Sequence, residues 1–335
     1  MLKKAITASR ALAELRGIGD QIPNQTILLK SIILQEAKLS SEIENIVTTN
    51  DKLYHAYFQN PEHADPHTRE VLRYQEAVWE GYLQLQKGEL LTSRFFLNIV
   101  RSIKKIEFGV RDYPGTAIHN PVTKEIIYTP PEGKQRIETL LHNLSEYIYH
   151  DDTTDPLIKM AVFHYQFEAI HPFPDGNGRT GRVLNILYLI EKKLLDIPIL
   201  YLSKYIIRNK NEYYQKLRGV TEDGDWESWI LHMLNYIEES AIEAKTRILA
   251  IRNSVQDALT IARQHMKNGY SKELIELVFS QYYVRINTLI EHDIAKRAAA
   301  STYLKELESI GILNSQKIGR DTIYLNIPLL EILES

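Results

Sequence analysis

Apolar residues recur at helical spacing through most of the chain. The opening stretch, MLKKAITASRALAELRGIGD, reads as a first helix, closed by a loop around Pro23. In TILLKSIILQEAKLSSEIENI, Ile27, Leu28, Ile32, Ala37 and Ile43 roughly keep helical spacing, which predicts a long amphipathic helix with an unusually polar end. Residues 70–100 predict two more helices, broken near Gly88. The texture then changes. FGVRDYPGTAIHNPVTKEIIYTPP carries β-branched and aromatic residues around turn signals at Pro114-Gly115 and Asn120-Pro121, and predicts a short hairpin ended by Pro130-Pro131.

Helical patterns resume at RIETLLHNLSEYIYH and PLIKMAVFHYQFEAI. RVLNILYLIEKK is apolar enough to be a buried helix, and the pattern then stays helical to about Ala262. Over residues 271–335, three short helical patterns precede GILNSQKIGRDTIYLN, two strand-like runs joined at Gly319-Arg320, which is the order of a winged helix. The expected class is mainly α, divided into an N-terminal helical region (1–100), a helical core with a small hairpin (101–240) and a winged-helix domain (265–335).

Composition narrows the function classes. The 335 residues are 44% hydrophobic and 25% charged, as in a compact globular protein with room for two or three domains. A net charge of -3 gives no global attraction to nucleic acid or an anionic membrane. Cysteine is absent, which excludes disulfides, a thiolate nucleophile and Cys-based metal sites, and fits a reducing cytoplasm. Arg10 and Glu14 interrupt the first apolar run, and no stretch reaches the ~18 apolar residues of a membrane span, so neither a secretory leader nor a membrane segment is expected.

One stretch holds more polar chemistry than packing requires: HPFPDGNGRTGR, residues 171–182, lying between two apolar helical patterns. Gly176 and Gly178 flank Asn177 where a helix begins, a natural cradle for an anion on outward-pointing amides at the positive end of the helix dipole. Arg179 and Arg182 share a face at i, i+3 and suit a polyphosphate. Asp175 is an oxygen ligand placed for a Mg²⁺ bridging two phosphates. His171 is the group able to accept a proton near neutrality.

The string resembles the signature of the Fic domain family, H-x-F-x-[DN]-G-N-G-R-x-x-R, at His171, Phe173, Asp175, Gly176, Asn177, Gly178, Arg179 and Arg182. The resemblance implies a Fic-type helical core that transfers AMP from ATP to a hydroxyl side chain of a target protein. His171 would be the general base and Asp175 the Mg²⁺ ligand. Gly176, Asn177 and Gly178 would form the anion hole, Arg179 would hold the β-phosphate and Arg182 the γ-phosphate, with Phe173 packed inward. The hairpin sits where Fic proteins carry the flap that aligns the target, and its Arg111 matches an arginine common there. Tyr213-Tyr214 resembles a tyrosine pair near the adenine end, and a pair of half-buried helix aromatics fits it equally well.

The resemblance extends to EAKLSSEIENI, which matches the Fic inhibitory motif [ST]-x-x-x-E-[GN] at Ser40, Glu44 and Asn45. It implies autoinhibition, with Ser40 holding the loop while Glu44 reaches an arginine. The leading expectation is thus an autoinhibited protein adenylyltransferase using ATP and Mg²⁺. A hydrolase removing AMP, and a nucleotide-sensing transcriptional regulator working through the winged helix, are the alternatives. The partners are ATP and an unidentified target protein, the chain itself and a homodimer included, with no membrane. Residues 271–335 hold seven Lys or Arg against nine Asp or Glu, which disfavours nucleic acid. The base of the nucleotide stays open, because the loop contacts phosphates.

Overall fold

The computed structural model describes residues 1–19, 25–58, 61–119, 126–150, 153–318 and 321–334. In chain order its helices are α1 (Leu2–Gly19), α2 (Gln25–Ile43), α3 (Asn50–Phe58), α4 (Pro66–Gln86), α5 (Ser93–Lys104), α6 (Lys134–Tyr149), α7 (Pro156–Ile170), α8 (Asn177–Glu191), α9 (Leu202–Arg208), α10 (Lys210–Asp223), α11 (Trp226–His265), α12 (Lys272–Phe279), α13 (Ile286–Glu291), α14 (Arg297–Ser309) and α15 (Ile327–Glu334). The strands are β1 (Ile118–His119), β2 (Ile126–Tyr128), β3 (Tyr283–Val284), β4 (Leu313–Ile318) and β5 (Asp321–Asn326). Among the described residues no helix is long and apolar enough to cross a membrane.

The chain divides into two compact units, Met1–Ala13 with Glu36–Ala241, and Glu14–Gln35 with Ile242–Ser335. In the first, α8 is the centre. Val183, Leu184, Ile186, Leu187, Tyr188 and Leu189 are all buried, so the helix is apolar nearly all round, as a helix enclosed by others must be. It packs against α4, α5 and α7. At Gly81 the approach of α4 leaves no room for a side chain, since a Cβ there would lie 2.6 Å from Leu187 Cδ1. Local signals set the flanking helices. Asp65 caps α4 by accepting from Thr68 N–H, Thr92 caps α5 through Phe95 N–H, and Asp155 caps α7 through Leu157 and Ile158 N–H, with Pro156 in the first turn. Gly88, at φ +85°, stands in the break expected between α4 and α5.

The hairpin forms as expected but is short, with Ile118 opposite Tyr128 and His119 opposite Ile126. Its Asn120-Pro121 turn lies outside the described residues, as do the side chains of Ile27 and Leu28.

In the second unit the strands make an antiparallel sheet in the order β3-β5-β4. Two elements there differ from the sequence reading. Tyr283–Val284 is a third strand paired to Leu325 and Tyr324, and two residues are too few to show an alternation. A final helix, Ile327–Glu334, follows β5; Asn326 starts it by accepting from Leu329 N–H while its amide donates to Val278 O. The Gly319-Arg320 turn lies outside the described residues.

Candidate active site

The loop 171–176 runs from the end of α7 to the start of α8. His171 ends α7 in the left-handed region, at φ 47° and ψ 58°, which costs a non-glycine residue energy and has to be held by its surroundings. Arg111 supplies much of that hold: its Nε donates to His171 O at 2.7 Å, Nη2 to Ile170 O at 3.3 Å, and its main-chain N–H to Pro172 O at 3.0 Å. Phe173 is wholly buried against Phe108 and Phe167. Asn177 folds back over it, accepting from Phe173 N–H at 2.9 Å and donating to Phe173 O at 2.8 Å. That side chain closes the loop, so Asn177 can offer an anion only its main-chain N–H. Gly176 precedes α8 at φ 81°, a conformation open to glycine.

Each charged side chain of the loop meets an opposite charge from another helix. Arg182 is 1% exposed and turns to α2: Nε donates to Ser40 Oγ at 2.8 Å, and Nη2 donates to Ser40 O and to Glu44 Oε1, both at 2.9 Å. The Glu44 carboxylate lies directly over Gly178, where a Cβ would come within 2.3 Å of Oε1. Arg179, equally buried, turns instead to α4, where it pairs with Glu70. Glu70 Oε1 also accepts from Lys104 Nζ of α5 at 2.6 Å, and the same ammonium lies 2.5 Å from Asp175 Oδ2. Asp175 Oδ1 accepts from Gly176 N–H at 2.6 Å, so one amide of the cradle is occupied by the loop's own carboxylate. Asn45 ends the α2 turn at φ 61°, a backbone conformation that suits Asn or Gly, and Lys210 donates to Ile43 O at 2.6 Å.

The electrostatics follow from burial. Desolvation and the nearby Arg111 charge depress the His171 imidazole to about 4, so it is neutral and able to accept a proton at pH 7. Burial pushes Glu168, one turn earlier on α7, up to about 7. His164 is depressed to about 3 by burial and by Arg182, and its Nε2 lies 2.7 Å from the Tyr213 hydroxyl. Of the tyrosine pair, Tyr213 is buried in this network while Tyr214 is 43% exposed, their rings in edge contact.

Comparison with known proteins gives a family likeness. Residues 2–83 match the Fic/DOC family N-terminal model, and residues 255–329 match the model described as protein adenylyltransferase SoFic-like, C-terminal domain. Over these two segments the chain is similar to Fic-family proteins. A probable protein adenylyltransferase of Aquifex aeolicus is 28% identical to this chain over 193 residues, covering 56% of it and 55% of the relative. The protein adenylyltransferase fic-1 of Caenorhabditis elegans is 33% identical over 88 residues, 26% of this chain and 16% of that one. The chain thus spans little more than half of the first relative and a sixth of the second. In fold it resembles the crystal structure of a Fic family protein from Desulfovibrio desulfuricans, with TM-score 0.60 and 17% identity over 96% of this chain and 95% of that one. It also resembles Fic-1 of C. elegans, with TM-score 0.56 and 18% identity over 75% and 73%.

Within the first unit the structure brings Ser40 and Glu44 onto Arg182, as the helical spacing anticipates. It separates the two motif arginines, one to α2 and one to α4. Glu70 and Lys104 were missing from the sequence reading. They arrive from helices 109 and 71 positions away in sequence from the loop residues they touch, and no local motif announces them.

Proposed function

We propose that this chain is a protein adenylyltransferase acting on ATP, with His171 as base and Glu44 as its own brake. The observation that carries the reading is a neutral imidazole beside an amide cradle at the start of α8, with two buried guanidiniums on the same turn. A target hydroxyl loses its proton to His171 as its oxygen bonds to the α-phosphorus, the bond from that phosphorus to the β-bridging oxygen breaks, and pyrophosphate leaves. Asn177 and Gly178 offer main-chain amides to the phosphates, as Gly176 does once Asp175 releases its N–H, while Arg179 holds the β-phosphate and Arg182 the γ-phosphate.

The donor set at Asp175 fits Mg²⁺. Among the described residues no group of three or more acidic or histidine side chains could cage a metal, but one carboxylate suffices when phosphates and water complete the shell. A cation already lies at its Oδ2 in the form of Lys104. Asp175 would hold the ion, which supplies charge neutralisation to the polyphosphate.

Autoinhibition is read from the Arg182 contacts. With its Nη2 donating to Glu44 and to the Ser40 carbonyl, the guanidinium is not free for a γ-phosphate, and the carboxylate over Gly178 repels one. That same position would let Glu44 activate a water, which favours removal of AMP as the second reading.

We read the chain as an N-terminal region over 1–100, a Fic core over 101–240 and a winged helix over 265–335, the last supported by the order α12-β3-α13-α14-β4-β5. Mass spectrometry of the chain and of a lysate after incubation with ATP and Mg²⁺ tests the activity: an added AMP on a hydroxyl side chain supports it. Its absence from both wild type and Glu44→Gly overturns it.

A further inference from the structure

Arg111 lies between α5 and β1, outside the loop motif, and is 2% exposed. Burying a guanidinium is costly unless it is well bonded, and burial lowers its pKa. Among the described residues its side-chain hydrogen bonds go to main-chain carbonyls: His171 O and Ile170 O at the end of α7, and Pro131 O just past β2. Those carbonyls of α7 belong to the turn that has no intrahelical partners and carries the negative end of the helix dipole, where a cation is favoured. Arg111 itself precedes β1 and Pro131 follows β2, so one side chain fastens both ends of the hairpin to the turn carrying His171. Tyr128 of β2 adds a further tie, its hydroxyl donating to Ala169 O at 2.9 Å.

We propose that Arg111 is a positioning residue for transfer: it holds the hairpin and the left-handed His171 in one register, with its guanidinium bonded to the main chain of the base itself. The proposal rests on the reading of His171 as base. The groups facing that imidazole are Arg111 from the segment before β1, Glu44 from just past α2, Asp175 from the loop and the main-chain carbonyl of Glu168 on α7. The two carboxylates and the carbonyl favour a protonated ring, and Arg111 is the cation that opposes it. After burial, its charge is the largest cause of the depressed value of about 4.

The test uses the full chain with Arg111→Met and Arg111→Lys. The His171 imidazole is titrated by NMR of histidine-labelled protein, assigned by difference from His171→Gln, and kcat and KM for ATP are measured in the Glu44→Gly background. In wild type the ring is expected to remain neutral at about pH 5.5, below the ordinary histidine value. Arg111→Met raises the midpoint by about one unit or more and lowers kcat by about 10²-fold, with KM for ATP unchanged. Arg111→Lys keeps the charge and loses the planar fork, so its midpoint stays near wild type while kcat still falls.

A midpoint unmoved in folded Arg111→Met, or a kcat unmoved in Arg111→Lys, overturns the proposal. If Arg111→Met does not fold, wild type still decides the electrostatic half: a His171 midpoint near the ordinary value of ~6.5 overturns it. The NMR titration needs no turnover, so it stands even where transfer fails. Normal transfer by His171→Ala would instead remove the functional reading beneath it.

Discussion

Arg182 and Glu44 meet across 138 residues of sequence, with Nη2 donating to Oε1 at 2.9 Å while Nε of the same guanidinium donates to Ser40 Oγ at 2.8 Å. The guanidinium is buried and the carboxylate side chain is 34% exposed, so the pair is a lid over a buried cation and not a surface ion pair of little consequence. Replacing Glu44 with Gly frees the cation and removes the charge over Gly178. Losing one charge-assisted pair of this kind corresponds to a roughly ten- to hundredfold rise in modification by ATP. Ser40→Ala should act the same way more weakly, because it leaves the carboxylate in place. Adding Arg182→Ala to Glu44→Gly should cancel the gain. Rates are read by intact-protein mass spectrometry; a Glu44→Gly chain no faster than wild type would show the contact to be structural only.

His171→Ala should abolish transfer, by ~10²- to 10⁴-fold, and leave nucleotide binding intact, since the imidazole serves the hydroxyl and not the phosphates. The pH profile adds a second check. A lowered pKa keeps the base in its neutral form well into the acid range, so the acid limb of kcat should lie near 4 rather than near an ordinary histidine value. Removing Glu44, which raises the His171 value, moves that limb further down. Half-maximal activity of Glu44→Gly at about pH 6.5 would contradict the environment described for the ring.

The metal prediction turns on Lys104. Its ammonium lies at the Asp175 oxygen that would take the ion, so a divalent cation has to displace it. Asp175→Ala should raise the Mg²⁺ needed for half-maximal rate, and chelator should stop the reaction. Lys104→Met should lower the requirement by removing the competitor. Calorimetric titration with Mn²⁺ in the presence of a non-hydrolysable nucleotide gives the same ordering without turnover. Equal metal dependence in all three proteins would remove Asp175 from the site.

Much of this site was legible in the residues because its parts are local, and the flap resemblance picked out Arg111. Gly176 and Gly178 mark the helix start, the i, i+4 spacing of Ser40 and Glu44 puts both on one face, and Asn45 suits the left-handed turn that ends α2. Other parts were illegible for an equally physical reason. Glu70 and Lys104 act through tertiary contacts, and each looks in sequence like one more charge on an amphipathic segment, while the bonds of Arg111 to the end of α7 are equally tertiary. The role expected of Asn177 also changed in detail: its side chain is occupied by Phe173, a choice fixed only when the loop closes. In the second unit, β3 is two residues long and leaves no periodicity to read.

A last prediction concerns how α2, whose C-terminal end leads into Glu44, is held down. Glu36 is 2% exposed on that helix, accepting from Ser203 N–H at 2.9 Å and from the hydroxyls of Ser203 and Tyr74. Burial outweighs these bonds and raises its carboxyl from 4.5 to about 7. Between those two values the folded chain keeps a proton that the unfolded chain has released, so this group's contribution to stability is present in acid and is lost as pH rises through the window. One proton difference corresponds to a slope of about 1.4 kcal/mol per pH unit. His171 and His164 slope the opposite way, since both are depressed from 6.5 and the folded chain binds fewer protons there. The net profile of wild type therefore hides the effect, and the difference between wild type and Glu36→Gln isolates it. Denaturant unfolding followed at pH 5, 6 and 7 should show wild type losing ground to Glu36→Gln as pH rises, by up to about 1.4 kcal/mol per unit. A difference that stays flat over that range would mean Glu36 is ionised throughout and its hydrogen bonds, not its proton, carry the docking of α2.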